Sequence, residues 1–256
     1  MAEPKQFAVV TGASSGIGLE LARQFAEHDF DVLTNAEDDG LAAVAGQLAA
    51  GTGADIQPVQ ADLETPQGVE QLVSAINAAG RPVDALAVNA GVGNGGAFLD
   101  IPLEDEQRLI ALNIGSAVHL TKRLLPAMVA GGAGRLLFTA SVASTMPGPY
   151  FATYAASKSF LLSFAEALRH ELKDRGVTVT ALMPGPTDTD FFERADMQDT
   201  PVGQGKKDDP ADVAKDGFEA LMAGKDHVVA GSRKNSMQTT AGKLLSEPAR
   251  AACRPR

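Results

Sequence analysis

The chain has 256 residues, with 22 lysines and arginines against 32 aspartates and glutamates, a formal net charge of −10 and a pI near 4.9. That balance argues against nucleic acid or an anionic membrane as partner, because both bind basic protein faces; the length suffices to bury a substantial core in a single domain. One cysteine, Cys253, permits no internal disulfide, the opening M-A-E-P-K-Q lacks the apolar core of a signal peptide, and no apolar run is long enough to span a bilayer, so the protein is expected in the cytoplasm.

Taken in order, the chain alternates strand and helix patterns. Phe7 to Thr11 is a short apolar, β-branched run, and Gly16 to about His28 has helical spacing. The turn between them, T-G-A-S-S-G-I-G, contains Gly12, Ser14, Ser15, Gly16, Ile17 and Gly18. Its glycines let the backbone approach a pyrophosphate at a helix N-terminus, although their spacing differs from G-x-G-x-x-G. A second strand, Asp31 to Asn35, leads into Glu37, Asp38 and Asp39 and then a helix from about Leu41 to Ala50. Glu37 stands where Rossmann-type domains place the acid that holds the adenosine ribose; an acid complementing a helix dipole is an equal reading. No lysine or arginine lies between Arg23 and Arg81, which leans the cofactor toward NAD(H) over NADP(H).

The third strand, Ile56 to Gln60, ends at Ala61-Asp62-Leu63 before a helix from about Pro66 to Ala79, and the fourth, Val83 to Val88, runs into N-A-G at Asn89, Ala90 and Gly91. Asp62 suits either an adenine amino group or a helix cap, and Asn89 either a brace for neighbouring backbone or a plain turn. From Pro102 to about Met128 one long helix is expected, with Asn113 in its interior, where asparagine costs stability unless its hydrogen bonds are used. His119 on that helix has no partner in sight and receives no role. The fifth strand delivers Ser141, a helix from about Phe151 to Arg175 carries Tyr154 and Lys158, and a sixth strand, Val177 to Met183, ends in P-G-P-T-D-T-D-F-F. Residues 190–209 read as an irregular lid, Pro210 to Ala223 as a helix capped by Asp209, and His227 to Ala230 as a last strand; the tail is residues 232–256. Together these elements predict an α/β fold, a Rossmann-like doubly wound parallel sheet of about seven strands with helices on both faces, in one domain with its core over residues 7–231.

Tyr154 and Lys158 are four apart and leave one face of their helix. An ammonium about 4 Å from a phenol is worth roughly 4 kcal/mol at an effective dielectric near 20, enough to lower the phenol by up to roughly 3 units toward neutrality. Ser144 and Tyr150 are polar neighbours in the same segment, but only Tyr154 has a lysine four residues on.

With those residues assembled, the sequence resembles the short-chain dehydrogenase/reductase family over about Phe7 to Gly231. The resemblance rests on T-G-A-S-S-G-I-G, Asp62-Leu63, N-A-G, Asn113, Ser141 thirteen residues before Tyr154, Y-x-x-x-K, and P-G-P-T-D-T from Pro184 to Thr189. It implies an NAD(P)-dependent oxidoreductase acting on a carbonyl compound or secondary alcohol. Tyr154 would be the general acid or base, Lys158 would lower its pKa and hold the nicotinamide ribose, and Ser141 would bond the substrate oxygen. Asn113 would hold a water linking Lys158 to solvent. Pro184, Gly185, Thr187 and Thr189 would lie along the cofactor, with Thr187 and Thr189 touching its carboxamide or phosphate. In the family's alignment Ala36 takes the acidic position, and Glu37 the one where NADP users often carry arginine. The resemblance also implies a homodimer or homotetramer.

A small or medium lipophilic ketone, aldehyde or secondary alcohol is the expected substrate, bounded by Val92 to Phe98, Val142 to Tyr150, Phe191, Phe192 and Met197. No metal is implied. The rival readings are a cofactor-binding regulator without turnover and an epimerase or dehydratase. The unbroken proton chemistry opposes the first, and the lack of room for a larger C-terminal substrate domain opposes the second.

Overall fold

The alternation of β-branched runs and amphipathic segments resolves into one sheet. In this computed structural model, which describes residues 5–195, 198 and 204–231, the strands are β1 (Gln6–Thr11), β2 (Phe30–Ala36), β3 (Ile56–Gln60), β4 (Ala85–Val88), β5 (Gly134–Thr139), β6 (Val177–Pro184) and β7 (His227–Ala230). They pair in the order β3-β2-β1-β4-β5-β6-β7, parallel throughout.

The helices are α1 (Gly16–Glu27), α2 (Leu41–Thr52), α3 (Pro66–Ala78), α4 (Leu103–Ile110), α5 (Ala117–Gly131), α6 (Ala152–Leu172), α7 (Phe191–Arg194) and α8 (Pro210–Met222). Successive strand side chains point to opposite faces, so Phe7 and Val9 of β1 join a core with α3, α5 and α6. Ala8 and Val10 join a second core with α1, α2 and α8. There Phe25 meets Phe30 and Phe218 edge-on, with ring centroids 5.1 and 5.2 Å apart. Burial on both faces explains why these strands read as continuous apolar runs.

Several expected boundaries move. The fourth strand begins at Ala85 and not at Val83, because the Asp84 carboxylate takes the Phe7 N–H at 2.7 Å in place of a ladder carbonyl. The helix expected from Pro102 to Met128 is interrupted: a π turn over Ala111–Ser116 separates α4 from α5. The helical periodicity continues through it, so the pattern alone does not reveal the wider turn. Asp209 does cap α8, accepting from the Ala211 N–H at 2.8 Å, with Pro210 in the first turn. Part of the expected lid, residues 190–209, is regular, since α7 lies within it; Met197 and the tail, residues 232–256, fall outside the described residues.

Candidate active site

The chain builds β1, β2 and β3 outward and then returns to lay β4 on the other side of β1. Crevices for ligands open at such a switch point, beyond the carboxyl ends of the strands. Here the two strand ends are tied together. The Thr11 hydroxyl accepts the N–H groups of Asn89 and Ala90 at 2.9 and 3.0 Å. The Asn89 amide donates to the carbonyls of Thr11 and Gly12 at 3.1 and 3.4 Å, and its oxygen accepts the Thr139 hydroxyl at 3.0 Å. Asn89 is therefore a brace joining β1, β4 and β5.

Beside this brace lies the glycine turn. Gly12 and Gly16 have φ of 66° and 54°, where side-chain-bearing residues are strained. A side chain on Gly18 would overlap the Gly12 carbonyl, and one on Gly12 would come 2.9 Å from the Ala90 Cα. The helix start is left open: Ser15 makes no side-chain cap and α1 has no acid in its first turn. Free N–H groups and an uncompensated positive dipole end suit a pyrophosphate. Thr189 closes the other side, its methyl 2.8 Å from where a Gly16 side chain would begin. Thr187 is buried with its hydroxyl donating to the Gly185 carbonyl at 3.0 Å. These residues fit a dinucleotide.

At the far end of the crevice, Asp62 accepts the Glu64 N–H at 2.9 Å, a turn bond, while Leu63 points into the core. Glu37, Asp62 and Glu64 bring carboxylate oxygens within 4.8 Å of one another. The fold adds a cation that local sequence did not reveal. Arg108 of α4 grips Glu64 with two bonds of 2.9 and 3.1 Å, and this bonding and its charge hold the guanidinium above its ordinary value.

The residues expected to handle the proton lie where β4, the π turn, β5 and α6 converge. Lys158 is buried and donates to the Thr139 carbonyl at 2.9 Å. Burial, by stripping water from the ammonium, lowers its pKa from 10.5 to about 8. Its Nζ lies 5.8 Å from the centre of the Tyr154 ring. The Asn113 amide makes a two-point bond with Val92, accepting its N–H and donating to its carbonyl, both at 2.9 Å. It also donates to the Ser157 hydroxyl at 3.0 Å, which in turn donates to the Tyr154 carbonyl at 2.8 Å. The bare Cα of Gly91 faces both groups: a side chain there would begin 3.1 Å from Asn113 Oδ1 and 3.2 Å from Lys158 Nζ.

Ser141 caps a short 3-10 turn, Val142–Thr145, accepting the Ala143 N–H at 3.0 Å while Ser144 accepts the Ser141 N–H at 3.2 Å. Ser144 is thus the serine's support and not its competitor. The hydroxyl of Ser141 has only a 3.5 Å bond to the Pro184 carbonyl, at the limit of hydrogen bonding, so its proton is free to serve a ligand. Tyr150 is exposed, with its backbone at φ 66°. Phe191 lies against the Tyr154 ring with centroids 5.2 Å apart, and Phe192 is buried beside it. Val142 is buried in the 3-10 turn.

The structure thus brings Gly12 to Asn89 at the end of β1, and Asn113, Lys158, Tyr154 and Phe191 together beside Gly91, with Ser141 at the end of β5 and Glu37 and Asp62 just past the ends of β2 and β3. Sequence reading missed Thr11, Thr139 and Ser157, whose contacts span 78, 19 and 44 residues. Ser157 had a local signal, standing three residues after Tyr154 on one helix face. His119, for which no partner was expected, meets Glu70 at 2.7 Å, with Arg123 on the same carboxylate at 2.9 Å. This is a surface ion network away from the crevice.

The family model described as short chain dehydrogenase matches residues 6–200. The chain is 34% identical over 195 residues to a 3-oxoacyl-[acyl-carrier-protein] reductase of Synechocystis sp., covering 75% of this chain and 78% of that one. It is 36% identical over 186 residues to the 1-deoxy-11-beta-hydroxypentalenate dehydrogenase of Streptomyces avermitilis, covering 71% and 68%. Among solved structures, a short-chain dehydrogenase from Sphingobium yanoikuyae in complex with NADPH superposes with a TM-score of 0.82 at 26% identity, over 93% of this chain and 94% of that one. With the family model spanning most of its length and relatives of 34% and 36% identity covering most of the chain, the chain belongs to the short-chain dehydrogenase/reductase family of nicotinamide-dependent oxidoreductases.

Proposed function

We propose that this protein moves hydride between a nicotinamide and the carbonyl carbon of a small or medium lipophilic ketone or aldehyde, or in reverse from the carbinol carbon of a secondary alcohol, with Tyr154 giving or taking the proton. The observation that carries this reading is the buried Lys158 ammonium, fixed by the Thr139 carbonyl 5.8 Å from the Tyr154 ring in a crevice that ends on the glycine turn. A bound nicotinamide supplies or accepts the hydride. In the reducing direction the Tyr154 O–H bond breaks as a new O–H bond forms on the substrate, and the electron pair stays on the phenolate, which the Lys158 charge stabilises. Ser141 donates to the same substrate oxygen as negative charge builds there. Asn113 holds Val92 and Ser157 in place, and Oδ1 keeps one lone pair toward the Gly91 notch that it shares with Lys158; a water taken there would return the proton.

The favoured cofactor is NAD(H). Glu37, Asp62 and Glu64 would repel a 2′-phosphate, and Arg108 is already neutralised by Glu64. The Sphingobium protein binds NADPH, which makes this preference a property of the present residues and not of the fold. Apolar surroundings support the lipophilic substrate: Phe151, Phe191 and Phe192 cluster beside Tyr154, and the Lys207 ammonium is taken up over the Phe192 ring at 4.8 Å. A second copy of this chain is the partner. Leu103 and Ile110, seven apart on α4, Val118 on α5 and Phe160 on α6 are all exposed, apolar side chains of the kind that two-fold assemblies bury. The charge balance and the single cysteine support a cytoplasmic setting.

Titration with NADH and NADPH, read by nicotinamide fluorescence, followed by NADH oxidation over a panel of ketones, tests this reading. Tighter NADH binding is expected, with turnover of lipophilic ketones that falls by about 10²–10⁴ in Tyr154→Phe while NADH affinity is retained. Full turnover in that variant would remove Tyr154 from the chemistry.

A further inference from the structure

Two adjacent phenylalanines at the start of α7 occupy different environments. Phe192 is buried and packs with Ala195, Phe151 and Phe191, and its ring is covered by the Lys207 ammonium. It anchors α7 to the molecule. Phe191 is only half-buried and turns toward the reacting end of the crevice. Its ring lies 5.2 Å from that of Tyr154 at 49°, and its tip fills the space over Gly93, where a side chain would begin 2.5 Å from the Phe191 Cζ. Gly93 is thus a notch cut to receive an aromatic ring.

The walls of the notch are fixed. Val92 is held on both its N–H and its carbonyl by Asn113, the Gly95 N–H donates to the Ala195 carbonyl and the Gly96 N–H to the Tyr150 carbonyl, each at 2.8 Å. Tyr150 adopts a left-handed conformation, φ 66°, to present that carbonyl, and such backbone strain persists only where the surroundings impose it. The loop is pinned on three sides and the backbone N–H of Phe191 rests on the Thr189 hydroxyl at 3.3 Å, so the notch and the backbone that carries the ring are both held in place.

We propose that Phe191, seated in the Gly93 notch against the Tyr154 ring, is the residue that sets how large a substituent a carbonyl substrate can carry to Tyr154. A carbonyl oxygen that reaches the Tyr154 hydroxyl must bring its substituents alongside the same ring. A small alkyl group passes beside Phe191; a second aromatic group needs the volume that Phe191 fills. The inference rests on the hydride-transfer reading above and adds to it the residue that selects the substrate.

The test compares kcat/KM for butan-2-one and benzophenone in the wild type, Phe191→Ala and Phe191→Trp, with NADH binding as the check on folding. One methylene in an apolar pocket changes specificity by about 10–200-fold, so the benzophenone-to-butanone ratio is expected to rise at least about tenfold in Phe191→Ala and to fall in Phe191→Trp. A ratio that moves in neither variant while both still reduce butan-2-one overturns the proposal and leaves the hydride-transfer reading standing. If the wild type reduces no ketone, that reading fails separately, and placement of the residue is decided by fluorescence. The chain has no tryptophan, so F191W contains a single reporter. Benzophenone is expected to shift its emission and change its quenching by acrylamide; no change in either at saturating benzophenone overturns the proposal.

Discussion

Lys158 shows what burying one charged side chain costs. Removing water from its ammonium lowers the pKa from 10.5 to about 8, yet at neutral pH the group stays mostly charged and within reach of Tyr154. Because the folded value lies below the unfolded one, the burial penalty is fully present below about pH 8 and is relieved as pH rises toward 10.5. The stability of the wild type relative to Lys158→Met is therefore expected to increase across that window by on the order of 3 kcal/mol, measured by urea unfolding at pH 7 and at pH 10. Leaving the Thr139 carbonyl unpaired in the variant shifts both points alike and does not mask the trend. Ketone reduction by the wild type is expected to decline as pH passes about 8 and the ammonium is lost; a profile flat to pH 10 would separate the lysine's charge from turnover.

Among the elements, the π turn over Ala111–Ser116 does the most to shape the site. Such wide turns interrupt helices most often at functional positions, and here the turn carries Asn113, whose amide holds the Val92 peptide and Ser157. Substituting Asn113→Ala leaves the half-buried N–H and carbonyl of Val92 without their side-chain partner, at about 1 kcal/mol each. Thermal unfolding is expected roughly 4–8 °C lower, using about 2–4 °C per kcal/mol for a domain of this size, with turnover reduced because Gly91, Gly93 and the Tyr154 backbone lose a shared support. Asn113→Asp should recover the bond from the Val92 N–H but not the one to its carbonyl, and so fall between the two. An unfolding temperature unchanged in Asn113→Ala would show that the turn stands without its asparagine.

For the molecule as a whole, Leu103 and Ile110 on α4, Val118 on α5 and Phe160 on α6 are large apolar side chains left exposed, and the proposed second copy would bury them. Ile110→Glu is expected to convert the sedimenting species to monomer at micromolar concentration, with NADH binding preserved because the crevice lies at the strand ends. A wild-type chain that sediments as a monomer at all concentrations would remove this partner.

Much was legible without coordinates because the signals are local. Strand, glycine turn and helix follow one another within a few residues, and Tyr154 and Lys158 share a face by helical spacing alone. The sequence by itself therefore determined the doubly wound sheet and the family, and it singled out the glycine turn and the Tyr154–Lys158 pair on which the proposed chemistry rests. Only the tertiary structure decided how they are held. Thr11 meets Asn89 across 78 residues and Thr139 meets Lys158 across 19, Arg108 reaches Glu64 from another helix, and Phe191 enters a notch at Gly93. Each of these contacts depends on which strands become neighbours, and strand order arises from packing the whole chain around two shared cores, not from any stretch of it.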